Sequence, residues 1–220
     1  MLMKRRAVVL GGIFTPVEDL AGLERAVDEI GEFDGNVFSF SFEGAMGDDF
    51  EDARRAMDGA HVVAFSAGKL AVTGETKPDF VQAINTPLVR PFHSIAFGGL
   101  QVASYHVRES MPGRDRPELH RPLVKGSVGE MVDPRSLWGN AKHLRAISRY
   151  DSIGVAAALR DAGVGVELNY MLDDEYFAPS KDEEARATSL GVVLDTHEGR
   201  HNQVMIDPEG TISATRHWAA

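Results

Sequence analysis

The residues of this chain best suited to do chemistry are one serine, two adjacent aspartates and two histidines. Ser66 ends the run Val62-Val63-Ala64-Phe65, Asp173 and Asp174 follow the apolar stretch 166–172, and His197 and His201 come after Val192-Val193-Leu194. A serine hydroxyl is a weak nucleophile until a base takes its proton. An imidazole takes it best when a carboxylate fixes its tautomer and stabilises its charged form. Around Ser66, the small residues Ala64 and Gly68 stand two positions away on either side, which leaves room for a strand to turn sharply into a helix. Such a turn lifts the hydroxyl out of the sheet edge and puts the Ala67 N–H at a helix N-terminus. This is the geometry of a nucleophile elbow, with alanine in place of the first glycine of G-x-S-x-G. The plain alternative is a buried turn serine.

For these residues to meet, strands must carry them to one rim. Residues 6–10, with Ala-Val-Val-Leu at their centre, stop at Gly11-Gly12 and suit a strand buried on both faces. Thr15 and Glu18 form a capping box around Pro16, and Val17, Leu20, Leu23, Val27 and Ile30 follow at helical spacing until Gly31. Residues 37–42 alternate as a second strand. Asp48 and Asp49 can cap a helix carrying Phe50, Ala53 and Met57, ended by Gly59, and residues 61–65 are the third strand. This pace implies βαβ units and a parallel sheet.

Beyond Ser66 the helix is short, because Thr73-Gly74 interrupts it; residues 78–84 read as another helical piece, and 94–97 as a fourth strand ending at Gly98-Gly99. Asp151 caps a helix over 153–159, residues 166–172 form a fifth strand, 181–189 a charged helix, and 191–194 open a sixth strand running into 196–202. Asp207-Pro208-Glu209 turns into a last helix or tail. The fold class is therefore α/β: about six mostly parallel strands with helices on both faces, in one domain over 1–220. Residues 101–150 break the pattern, with four prolines, three histidines and nine Lys/Arg against five Asp/Glu. They read as an irregular, lid-like excursion.

In an open α/β sheet, reactive groups sit beyond the C-terminal ends of the strands. That rim collects Gly11-Gly12-Ile13, Ser66, Gly98-Gly99, Asp173/Asp174 and His197/His201, so serine, carboxylate and histidine fall in the order Ser…Asp…His. At this point the chain resembles the α/β-hydrolase family. The resemblance covers nearly all of it, apart from 101–150 and the first two strands of the eight-stranded version. It implies Ser66 as nucleophile and Asp174, followed by Phe177 and Pro179, as the acid. His201, in Gly199-Arg200-His201-Asn202, would be the base. It also implies an oxyanion hole from the Ile13 and Ala67 N–H groups, with Gly11-Gly12 where the family has His-Gly. The departures are Ala64, the Gly-Gly pair and the short helix after the elbow.

Competing readings concern single residues. Asp173 would be a solvent-facing or capping acid. His197 and His201 at i,i+4 could suggest a metal pair, but Gly199 weakens a helix between them, no H-E-x-x-H is present and no third ligand stands out. His61, His93, His106, His120, His143 and His217 read as structural or surface residues.

Composition removes other classes. A net charge of −10 argues against a general nucleic-acid binder. With no cysteine there is no disulfide, cysteine nucleophile or thiolate zinc site. The apolar run near the N-terminus is too short for a signal segment, and no run approaches about 18 apolar residues, so a soluble cytoplasmic protein is expected. Gly11-Gly12-Ile13-Phe14-Thr15-Pro16 lacks G-x-G-x-x-G and gives weak support for a dinucleotide.

The expected activity is a serine hydrolase that cleaves an ester or thioester through an acyl-enzyme, with a small-molecule acyl substrate and no cofactor. The alternatives are a non-hydrolytic binding protein or acyltransferase of the same fold and, more weakly, a serine peptidase. Arg108, Arg114, Arg116, Arg121 and Lys125 could attract an anionic acyl donor; a solvated arginine-rich loop is the plain alternative.

Overall fold

The computed structural model describes residues 5–12, 17–40, 48–125 and 144–215. Its frame is one six-stranded sheet in the order β2-β1-β3-β4-β5-β6, parallel throughout. The strands are β1 (Ala7–Leu10), β2 (Val37–Phe40), β3 (His61–Phe65), β4 (Phe80–Ile84), β5 (Gly165–Asp173) and β6 (Val193–Arg200). β1 and β3 are buried along their whole length, as their unbroken apolar runs require of a sheet covered on both faces.

Period-two alternation divides the core into two layers. Val8, Leu10, Val62, Ala64, Val81, Ala83 and Leu168 face one layer, packed with residues of α2 (Asp48–Met57) and α5 (Ser152–Asp161). Ala7, Val9, Val63, Phe65 and Ile84 face the other, with α1 (Val17–Gly31) and two short C-terminal helices, α7 (Gln203–Ile206) and α8 (Pro208–Ala214). Gln82 is the polar exception in β4. Fully buried, it donates to the carbonyl and hydroxyl of Thr215 (2.8 and 2.6 Å) and so ties the sheet to the end of α8. The described residues also form α3 (Phe92–Glu109), α4 (Pro117–Leu123) and α6 (Lys181–Ser189).

The caps at Asp151 and Asp207 follow their side-chain chemistry, since each accepts from a backbone N–H three residues on. Ser180 and Glu183 form a complete capping box at the start of α6. The strand expected over 37–42 begins at Val37 as expected; its last two residues, and the side chains of the capping box expected at Thr15 and Glu18, lie outside the described residues.

Two expected elements are exchanged. Residues 80–84 are a strand rather than a helical piece, and 94–97 belong to an 18-residue helix rather than to a fourth strand. In the first case the five-residue run Phe-Val-Gln-Ala-Ile fits either state by pattern, and pairing with β3 and β5 decides it. In the second, Gly98-Gly99 is no strand end. A Cβ on Gly98 would stand 2.6 Å from the Glu175 carbonyl oxygen and 2.9 Å from the Tyr176 ring, so glycine lets α3 approach the turn after β5. The expected irregular stretch is therefore partly regular: α3 runs on to Glu109, α4 follows, and 144–147 form a helical turn.

The strand order reverses between β1 and β3. Such a reversal is the kind of switch point at which open α/β sheets bind ligands. Ser66 follows β3 at this switch point.

Candidate active site

The first residue past each of four neighbouring strands is Ser66 after β3, Asn85 after β4, Asp174 after β5 and His201 after β6. Parallel register brings them to one rim. Ser66 has φ of 51°, in the left-handed region that non-glycine residues rarely occupy. The chain then enters a six-residue 3-10 helix, Ser66–Ala71, the short helix expected from Thr73-Gly74. The bend is tight against β1: a Cβ on Gly68 would lie 2.4 Å from the Leu10 carbonyl oxygen and 2.6 Å from that of Gly11. Ala64 is fully buried, paired between Leu10 and Ala83.

Ser66, His201 and Asp174 form one hydrogen-bonded line. His201 Nε2 lies 3.0 Å from Ser66 Oγ, and His201 Nδ1 lies 2.9 Å from Asp174 Oδ2. His201 and Asp174 are both buried, at 5% and 6% exposure, so water competes little for these bonds. The other oxygen, Asp174 Oδ1, accepts from the Tyr176 and Phe177 N–H groups at 2.7 and 2.9 Å. The imidazole sits among aromatic rings, with Tyr176 edge-on at 4.5 Å and Phe65 tilted at 5.3 Å. With Nδ1–H donated to the carboxylate, Nε2 is left as the acceptor for the Ser66 hydroxyl proton.

Asp173 is instead the last residue of β5, exposed and paired in register with Arg200. His197 lies inside β6 rather than past it, and its Nε2 meets Asn169 Oδ1 at 3.0 Å. The two histidines therefore do not share a helix face. Among the described residues no three His, Cys, Asp or Glu side chains gather as a metal site. Ala67 is buried in the first turn of the 3-10 helix. Ile13 lies outside the described residues.

Several residues of the site escape sequence reasoning. Asn85 is fully buried with φ of 48°. Its Nδ2 donates to the His201 carbonyl (2.7 Å), its Oδ1 accepts from the Met171 N–H (2.8 Å), and its own N–H donates to the Asn169 carbonyl (2.8 Å). One amide thus links the ends of β4 and β5 to the histidine turn. Reading 80–84 as a strand would have exposed it as a rim residue. Glu175 and Arg200, neighbours of the acid and the histidine, pair at 2.5 Å. His106 and His120, expected to be structural or surface residues, are buried beside this turn. His61 is buried between Phe33 and Phe80, and His93 is exposed; His143 and His217 lie outside the described residues.

No protein-family model and no curated protein matches the sequence. Solved structures do. The chain is similar to an enol-lactonase from Burkholderia xenovorans LB400, with 13% identity over 96% of this chain and 88% of that one and a TM-score of 0.60. A carboxylesterase structure from the ammonia-oxidizing thaumarchaeon Nitrososphaera gargenis gives 14% identity over 96% and 88%, with a TM-score of 0.59. The thioesterase domain from the curacin biosynthetic pathway gives 10% identity over 96% and 90%, with a TM-score of 0.58. The chain has the α/β-hydrolase fold. Its six-stranded parallel sheet, flanked by helices on both faces, is the α/β-hydrolase sheet anticipated from the residues around Ser66, Asp174 and His201. Among the described residues no helix is long and apolar enough to cross a membrane.

Proposed function

We propose that this protein is a serine hydrolase that cleaves a carboxylic ester or thioester through an acyl-enzyme on Ser66. The observation that carries this reading is the line from Asp174 through His201 to Ser66, with bonds of 2.9 and 3.0 Å. In acylation, Ser66 Oγ attacks the acyl carbon while His201 Nε2 takes its proton. Asp174 keeps the Nδ1 proton in place and stabilises the imidazolium that forms. The tetrahedral oxyanion is held by the Ala67 N–H and, in this reading, by that of Ile13; one such donor is worth about 100- to 1,000-fold in rate. Collapse expels the alcohol or thiol, which takes the proton from His201. Water then attacks the acyl-enzyme by the same route, with His201 as its base, and releases the acid.

The bond types named for the neighbouring structures (lactone, carboxylic ester and thioester) are all acyl bonds open to this chemistry. The substrate is thus a small acyl compound, no cofactor enters the scheme, and the chain works as a single domain. Ser66→Ala should lower hydrolysis of a p-nitrophenyl ester by at least about a thousandfold and abolish labelling by a fluorophosphonate. Undiminished labelling of the alanine variant would sink the assignment of Ser66.

A further inference from the structure

Two consecutive residues of α3 grip the two residues on either side of His201. The Arg200 guanidinium lies over the Tyr105 ring, 4.2 Å from its centre. Asn202 Nδ2 lies 3.0 Å from His106 Nε2, and His106 Nδ1 in turn meets Nδ1 of His120 on α4 at 2.9 Å. Arg200 also donates to Glu175 Oε1 at 2.5 Å, while Glu175 Oε2 faces the His201 N–H at 3.4 Å. The same helix packs its Gly98 against Glu175 and Tyr176, so one rigid element braces both the acid turn and the base turn.

We propose that Tyr105 and His106 are positioning residues for His201, holding its imidazole in line with Ser66 through Arg200 and Asn202. The proposal rests on the reading of Ser66, His201 and Asp174 as a hydrolytic triad. Tyr105 supplies a flat face that fixes the guanidinium. His106 supplies an acceptor on Nε2, which requires its proton to be on Nδ1, donated to His120. The groups facing His106 are His120 from α4, Arg200 at the end of β6 and His201 beyond it, and Glu109 and Glu118 face His120. Burial, and then electrostatic interaction with His120, His201 and Arg200, pull the His106 pKa down to about 4. The acceptor therefore stays unprotonated near neutral pH.

The test measures p-nitrophenyl acetate hydrolysis per active site, counted by fluorophosphonate labelling carried to completion, so that misfolded protein does not contribute. Tyr105→Leu and His106→Leu should each lower kcat per labelled site by about 10- to 100-fold while KM stays within about twofold, as expected for a base displaced by a fraction of an ångström. Tyr105→Phe keeps the ring face and His106→Gln keeps an acceptor at the same reach; each should return kcat to within about threefold. Should His106→Leu fail to fold, Asn202→Ala cuts the same contact from the turn and must show the same loss per site.

Leucine variants whose kcat per labelled site equals the wild type would overturn the positioning role alone. Conservative variants as slow as the leucine ones would overturn it too, because the named contacts would then not be what matters. A wild-type protein with no Ser66-dependent labelling would overturn the hydrolase reading, and this proposal with it.

Discussion

Asp174 uses its two oxygens differently. Oδ2 faces His201 Nδ1, while Oδ1 accepts two backbone N–H groups of its own turn. Asp174→Asn should keep its carbonyl oxygen on those two donors, which turns the new NH2 toward His201. The imidazole must then carry its proton on Nε2, where it can no longer take one from Ser66. We expect kcat/KM for a p-nitrophenyl ester to fall by about 10,000-fold with an unchanged melting temperature. A loss of less than tenfold would remove Asp174 from the mechanism. At this scale much of the site was legible. Ser66, Asp174 and His201 each stood out through the short motif around it, Ala64 to Gly68, Phe177 with Pro179, and Gly199 with Asn202, as the family resemblance implies. Asn85, Tyr105 and His106 were not, because each acts through contacts between segments distant in the chain.

At the scale of elements, the elbow depends on how near β3 and its following helix come to β1. The space at Gly68 is closed by two backbone oxygens, which cannot rotate away. Gly68→Ala must therefore push the 3-10 helix off the end of β1. It should destabilise the fold by about 1–3 kcal/mol, read by urea unfolding, and lower esterase activity more than that loss of folded protein explains. A fully active Gly68→Ala would mean that the elbow tolerates a looser approach. Strands β1, β3 and β5 were readable as apolar runs ended by glycine or by polar residues. The exchange of 80–84 for 94–97 arose where a five-residue run fits either state and a glycine pair imitates a strand end. Only pairing across the sheet, and the packing of Gly98 on the acid turn, resolve such segments.

At the scale of the whole molecule, the fold carries a buried amine that costs stability. Lys69, three residues beyond Ser66, is fully buried, and its Nζ has no hydrogen-bond partner among the described residues. Desolvation pulls its pKa down to about 7. The unfolded chain keeps this proton up to the ordinary lysine range, so between about pH 7 and 10 it binds a proton that the folded state lacks. Stability from this group therefore rises with pH across that window and is lowest at and below its lower end. Its cost near neutral pH is on the order of 4 kcal/mol. Lys69→Met should raise the urea midpoint at pH 7, and its advantage over the wild type should shrink steadily by pH 9.5. An advantage that did not change with pH would show that packing, not the buried amine, limits stability here.

What the sequence determined by itself was the order of the parts: apolar runs at βαβ spacing, and serine, aspartate and histidine, in that order, placed after three of them. Side-chain size around Ser66 and the absence of cysteine narrowed the chemistry further, since these properties need no partner to be read. Tertiary structure decided which residues meet. Parallel register put Ser66, Asn85, Asp174 and His201 on one rim, and α3 became a brace for both loops through a ring face, an imidazole nitrogen and a missing Cβ. Such contacts join positions up to 135 residues apart, and no local pattern encodes a distance of that kind.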